Sequence, residues 1–133
     1  MSAVFADTSA FLALLDTGDR SHLAAGRAFG TLRTRQAALV TTSYVLVETY
    51  ALLGRRFGLD AVRRFRADFA PLLEVTWVDL ALHDAGLDLQ LSQRRRRLSL
   101  VDAVSFVVMR QRKLSLAFAF DPDFEHEGFA LLR

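Results

Sequence analysis

The chain has 133 residues, 52% of them hydrophobic, which is enough for one domain around one core and too apolar for a disordered segment. Cysteine is absent, so disulfides, thiolate catalysis and Cys-held zinc are excluded. The formal charge is only +2, yet Lys113 is the sole lysine and every other basic group is an arginine, the better bidentate phosphate ligand. A GC-rich coding sequence would give the same bias, so composition alone does not argue for nucleic acid.

The most apolar stretches, 44–53 and 114–120, fall short of the about 20 residues a membrane span requires. The opening Met1-Ser2-Ala3-Val4-Phe5-Ala6-Asp7 has no basic region ahead of an apolar one, as a secretion signal would. A cytoplasmic chain without membrane contact is expected.

In chain order, residues 3–6 form a short apolar run that suits a buried strand. Helices are predicted over 9–15 and 21–32, the second with Leu23, Ala24, Ala28 and Leu32 near one face. A strand over 38–40 precedes a long helix over 43–57, which Gly58 stops. Val62, Phe65, Phe69 and Leu72 are spaced for one face of a helix over 59–72. Residues 75–78 read as a third strand and 80–93 as a helix capped by Asp79. Ser99 opens a helix over 100–112. Strands follow at 116–120 and 129–132. Strands alternating with helices give an α/β fold, a single domain over 1–133 with a largely parallel sheet of four to five strands. Ligands in such sheets bind beyond the carboxyl ends of the strands.

That rule selects acidic residues. Asp7 follows the first strand and Asp121 the fourth, while Asp102 lies in the first turn of a helix starting beside the same edge. Glu48 sits mid-helix in Tyr44-Val45-Leu46-Val47-Glu48-Thr49-Tyr50-Ala51-Leu52-Leu53, so apolar that the helix reads as buried and a lone carboxylate there needs an offset. If the four converge, each like-charged pair at ~5 Å and an effective dielectric of ~20 repels by roughly 3 kcal/mol. A cation reverses the sign. Oxygen ligands without Cys or His favour Mg²⁺ or Mn²⁺, and the chemistry that follows is metal-assisted phosphodiester hydrolysis. Each residue also has a structural use. Asp7 suits a helix cap, Ser99-Leu100-Val101-Asp102 matches a capping box, Asp121 before Pro122 suits a turn, and Glu48 suits an ion pair with a distant arginine.

The same residues resemble a known family. Val4-Phe5-Ala6-Asp7-Thr8-Ser9-Ala10 resembles the opening of PIN domains, and Val45-Leu46-Val47-Glu48-Thr49 their helical Glu motif. Leu98-Ser99-Leu100-Val101-Asp102-Ala103-Val104-Ser105-Phe106 resembles the third acidic motif, and Phe118-Ala119-Phe120-Asp121-Pro122-Asp123-Phe124 the last. The motifs run in order over essentially the whole chain, at a length similar to the VapC-type toxins. The resemblance implies a Rossmann-like, three-layer PIN fold with helices flanking the sheet. It implies Mg²⁺- or Mn²⁺-dependent cleavage of RNA as the toxin of a type II toxin–antitoxin pair. It assigns metal binding chiefly to Asp7 and Asp102, with Glu48 and Asp121 completing the pocket. It also implies a homodimer and a small DNA-binding antitoxin that inserts a peptide near the site. One departure is Ala119, where the family often carries Thr or Ser. Asp123 adds a carboxylate that could share the fourth role, although Asp121 directly follows the strand.

Arg94, Arg95, Arg96 and Arg97 run into the Asp102 motif, a place from which they could hold RNA phosphates. Arg55, Arg56, Arg63, Arg64 and Arg66 suit an exposed helix face or an acidic partner. His22, His83 and His126 show no ligand spacing and read as surface residues, and Trp77 reads as core or dimer interface. A stand-alone PIN nuclease in RNA processing and a catalytically degenerate PIN binding module are the alternatives. A phosphatase lacks its Asp-x-Asp pair here, because Thr8-Ser9 follows Asp7. A receiver domain would want its lysine near the last strand, and Lys113 precedes the fourth.

Overall fold

The computed structural model describes residues 3–94 and 97–132. Five strands form one sheet: β1 (Ala3–Ala6), β2 (Ala38–Thr42), β3 (Leu73–Thr76), β4 (Leu116–Phe118) and β5 (Ala130–Leu132), in the order β3-β2-β1-β4-β5. Every pairing is parallel. Among the described residues the helices are α1 (Thr8–Leu15), α2 (His22–Thr34), α3 (Ser43–Phe57), α4 (Leu59–Asp68), α5 (Leu80–Ser92), α6 (Leu100–Gln111) and α7 (Asp123–His126). The architecture is α/β, as the alternation predicts.

The pleat explains why helices cover both faces. Phe5 and Ala117 are register partners, as are Ala6 and Phe118, so each pair shares a face and the two pairs point oppositely. On one side the Phe5 ring meets Phe124 of α7 at 6.2 Å, and Phe124 meets Phe106 of α6 at 4.9 Å. On the other, Phe118 stacks near Phe29 of α2, which meets Phe69 just past α4. Strands buried on both faces need apolar residues at successive positions, and Val4, Phe5, Ala6, Ala117, Phe118 and Ala119 are all fully buried.

Several boundaries differ from the sequence reading. The helix expected over 59–72 breaks at Phe69, and residues Ala70–Leu72 form a 3₁₀ turn with Pro71 inside it, since proline cannot donate the helical hydrogen bond. The third strand starts earlier, at Leu73, and ends at Thr76. The fourth ends at Phe118, so that Ala119 and Phe120 already belong to the loop that carries the acids. The short helix α7 was not foreseen. The long helix α3 has the expected bounds but is not buried all round, for Val47 is 67% exposed and Glu48 half-buried. Trp77 is 74% exposed and so is not a core residue.

The chain passes from β1 to β2 on one side, while β4 pairs with β1 on the other. The crevice between the carboxyl ends of β1 and β4 is thus a topological switch point, where neighbouring loops diverge and leave room for a ligand.

Candidate functional site: an acidic pocket at the sheet edge

Asp7 is placed by two strands at once. It follows β1, and its backbone N–H donates to the Phe118 carbonyl at 3.1 Å. It also caps α1, its Oδ2 accepting from the Ser9 N–H (3.1 Å) and the Ser9 hydroxyl (2.7 Å). The Ser9 hydroxyl in turn accepts from the Phe120 N–H at 2.9 Å, so it ties Asp7 to the loop after β4. Capping and site placement are therefore the same geometry here. The other carboxylate oxygen, Asp7 Oδ1, is buried and has no hydrogen-bond partner among the described residues, an arrangement that costs free energy unless something charged or polar meets it.

Asp102 enters from α6. Ser99 caps that helix, its hydroxyl accepting from the Asp102 N–H at 3.0 Å. Among the described residues no hydrogen bond engages the Asp102 carboxylate, so the capping motif positions this group without consuming it. Asp121 opens a turn, its Oδ1 accepting from the Asp123 N–H at 2.9 Å, and that turn brings Asp123 to the start of α7. One oxygen each from Asp102, Asp121 and Asp123 lies within 4.8 Å of the others. Glu48 approaches from α3, and among the described residues no ion pair involves it.

The electrostatics record this convergence. Burial pushes the Asp7 carboxyl up to about 6, against the lowering influence of the Ser9 hydrogen bonds, with Asp121 and Glu48 adding repulsion. Burial pushes Asp102 up to about 8, aided by the charges of Asp7, Asp121, Glu48 and Asp123. Asp7 and Asp102 thus both lie within reach of the charges of Glu48 and Asp121, and Asp102 also of that of Asp123, which the sequence reading ranked second to Asp121. An all-oxygen donor set suits a hard divalent cation such as Mg²⁺ or Mn²⁺. The orphaned Asp7 oxygen and the close aspartate trio fit such an ion.

The matched sequence model is that of the PIN domain, over residues 4–129. The chain belongs to the PIN domain family. The 23S rRNA-specific endonuclease VapC20 of Mycobacterium tuberculosis is 36% identical over 98% of both chains, in the CDC 1551 and H37Rv strains alike. The crystal structure of Mycobacterium tuberculosis VapC20, described as a sarcin-ricin loop cleaving toxin, superposes with a TM-score of 0.86 at 33% identity, covering 96% of this chain and 97% of that one. FitAcB from Neisseria gonorrhoeae matches at a TM-score of 0.70 and 12% identity over 98% of this chain and 96% of that one, which speaks to the fold alone.

Within this PIN domain, sequence reasoning missed the hydroxyl work of Ser9. The Asp-x-Ser spacing of a side-chain turn is the signal that would have found it. Ala119, where the family often has a hydroxyl, is fully buried, and the hydroxyl against the neighbouring Phe120 N–H belongs to Ser9. Thr8 contributes a second tie, its hydroxyl 2.9 Å from that of Thr49 one residue beyond Glu48. Arg94 and Arg97 are exposed on the approach to α6; Arg95 and Arg96 lie outside the described residues. Two histidines are not simply surface groups. The His22 Nδ1 is 2.8 Å from the Ala13 carbonyl oxygen, and the His83 ring bonds the Tyr44 hydroxyl. Arg63 and Arg64 lie on the exposed face of α4, as expected, and pair with Asp60 and Asp68 of the same helix. No described helix is long and apolar enough to cross a membrane.

Proposed function

We propose that this PIN domain is a divalent-metal-dependent endoribonuclease and the toxin half of a toxin–antitoxin pair. The observation that carries the reading is the pocket itself. One oxygen each of Asp102, Asp121 and Asp123 lies within 4.8 Å of the others, the charges of Asp7 and Glu48 also act on Asp102, and one buried oxygen of Asp7 is unsatisfied among the described residues. Such a concentration of negative charge opposes folding and RNA approach alike unless a cation sits in it. Mg²⁺ or Mn²⁺ held there supplies charge neutralisation at the scissile phosphate and a more acidic water.

The chain's own groups divide the remaining work. Asp102, Asp121 and Asp123 offer the close oxygen trio, and Asp7 presents Oδ1 while Ser9 fixes its other oxygen. Glu48 adds negative charge from the α3 side. Arg94 and Arg97, exposed on the approach to α6, hold RNA phosphates, a role the sequence offers also to Arg95 and Arg96. The likeness to a 23S rRNA-specific endonuclease over nearly the full length makes a structured ribosomal RNA the first substrate to try. A small antitoxin would cover this edge of a homodimer in a cytoplasmic host. Co-purification from the native host would yield that small protein; a chain recovered alone would instead favour the stand-alone nuclease.

The test is cleavage of purified 23S rRNA and of a mixed structured RNA pool with Mg²⁺, Mn²⁺ or EDTA, beside Asp7→Asn and Asp102→Asn. Cutting that needs metal and disappears in both variants is expected. A folded wild-type protein that cuts nothing in either sample would shift the reading to a degenerate binding module.

A further inference from the structure

The crossover between Asp19 and Glu48 contains Arg20, Arg27, Arg33 and Arg35 and not one acidic residue, in a chain whose net charge is only +2. Arg27, Arg33 and Arg35 are exposed, and no ion pair found among the described residues involves any of them. This contrasts with α4, where Arg63 and Arg64 pair with acids of their own helix. Arg27 and Arg35, with Gly30, Thr31 and Thr34, line an open hollow of about 530 Å³ on the outer face of α2. A Cβ built at Gly30 would meet nothing within 4 Å, so the floor of the hollow is open to an incoming chain.

We propose that this face of α2 is a second contact surface for the RNA substrate, gripping the sugar–phosphate backbone of a base-paired stem away from the bond that is cut. The inference rests on the nuclease reading above and extends it to how a structured substrate is held. Three features select this occupant. Guanidiniums without an ion pair among the described residues, side by side on one helix face, match phosphate geometry and gain affinity through release of counterions. The lining holds no aromatic ring on which an unpaired base would stack, which favours a helical backbone over a single strand. It also holds no large apolar anchor of the kind a protein partner buries at the centre of an interface, for the exposed Leu23 lies outside it. The location fits as well. Arg35 lies just before β2, at the amino edge of the sheet, while the acidic pocket is at the carboxyl edge. A strand of this length separates the two edges by roughly 15 Å, a distance spanned by a stem but not by one nucleotide.

The experiment measures binding of a labelled stem–loop RNA, the same loop as a single strand, and an acidic peptide. It uses Asp7→Asn protein in EDTA, with and without Arg27→Ala/Arg35→Ala, over a range of salt. The control is Arg63→Ala/Arg64→Ala, which removes the same charge where it is already paired. Loss of these two contacts is expected to weaken stem–loop binding at least about tenfold and to flatten the dependence of log affinity on log salt by about 1.4 to 1.8 units. The single strand should be less affected and the control close to the parent. Equal stem–loop binding by parent and Arg27→Ala/Arg35→Ala, an equal loss in the control, or an Arg-dependent preference for the peptide would each overturn the proposal. Wild-type protein with Mg²⁺ is assayed for cutting in parallel. Arg-dependent stem–loop binding without any cutting would overturn the nuclease reading and leave the surface standing.

Discussion

Replacing Asp7 by Asn should make the metal-free protein more stable while removing its activity. In the folded chain the Asp7 carboxyl is raised to about 6 from an ordinary value of 3.8. The folded state therefore holds this proton more tightly than the unfolded chain does. Its contribution to stability is full below pH 4 and is lost as the pH rises towards and through 6. By linkage the loss at pH 7 is about 3 kcal/mol. Asparagine removes that charge and can still accept both Ser9 hydrogen bonds, but it leaves an amide N–H₂ where Oδ1 was buried, which costs about 1–3 kcal/mol if unmatched. Relief of the neighbouring acids, Asp102 above all, offsets part of that cost. The net expectation in EDTA at pH 7 is a gain of about 1–3 kcal/mol, equivalent to roughly 3–10 °C in Tm for a chain of this size. The gain should shrink or reverse at pH 4, where wild-type Asp7 is already protonated. Saturating Mg²⁺ should raise the wild type, by about 2.7 kcal/mol at a hundredfold excess over Kd, and raise the variant less. Thermal and urea unfolding followed by circular dichroism, at pH 4, 5.5 and 7 with EDTA or Mg²⁺, provides the measurement. A variant no more stable than wild type at pH 7, with the same pH dependence and the same response to Mg²⁺, would refute the claim that Asp7 carries a strained, cation-seeking charge.

Other expectations follow from the same geometry. Because Asp102 releases its proton only near pH 8, Mg²⁺ affinity measured by calorimetry should rise with pH from 6 to 8, by up to about tenfold per unit; a flat profile would show that Asp102 is not a ligand. Ser9→Ala breaks the links to Asp7 and to the Phe120 N–H, and should cut kcat by roughly 10- to 100-fold while costing only about 1–2 kcal/mol of stability. Unchanged cleavage in that variant would mean Asp7 needs no such tether. Gly86→Ala would drive a Cβ into a Val104 methyl and against the Val104 backbone, so urea unfolding should show a loss of about 1–3 kcal/mol, only partly recovered by adding Val104→Ala, since Val104 is itself a buried core residue. Phe65→Ala empties a site where Phe11, Tyr50 and Phe69 meet and should cost about 3–5 kcal/mol, a loss checked by the same unfolding experiment.

The fold was legible because burial on both sheet faces writes itself into runs such as Val4-Phe5-Ala6, and because Thr42, Asp79 and Ser99 cap their helices through local contacts. The acids after β1 and β4 could be found by topology alone, since a parallel strand delivers its next residue to the carboxyl edge. Less legible were features fixed by partners distant in sequence. The end of β4 depends on where pairing with β1 stops, and the loop then turns through the Asp121–Asp123 hydrogen bond to bring in the fifth carboxylate. Ser9 looked like an ordinary helix-start residue because its second partner, Phe120, is 111 positions away. The apolar run of α3 suggested full burial, yet periodicity cannot say whether an apolar flank faces the core or, like Val47, the outside.

The pairing of β1 with β4 has a consequence for synthesis. The first carboxylate is translated almost at once, but β4, which pairs beside it, and the turn that carries Asp121 and Asp123 are translated only after residue 115. Until then Asp7 lacks the loop that, through Ser9, fixes its orientation. The acidic site is thus completed only by the last part of the chain to be made, and nascent chains stalled before β4 should release no RNA fragments when Mg²⁺ is supplied.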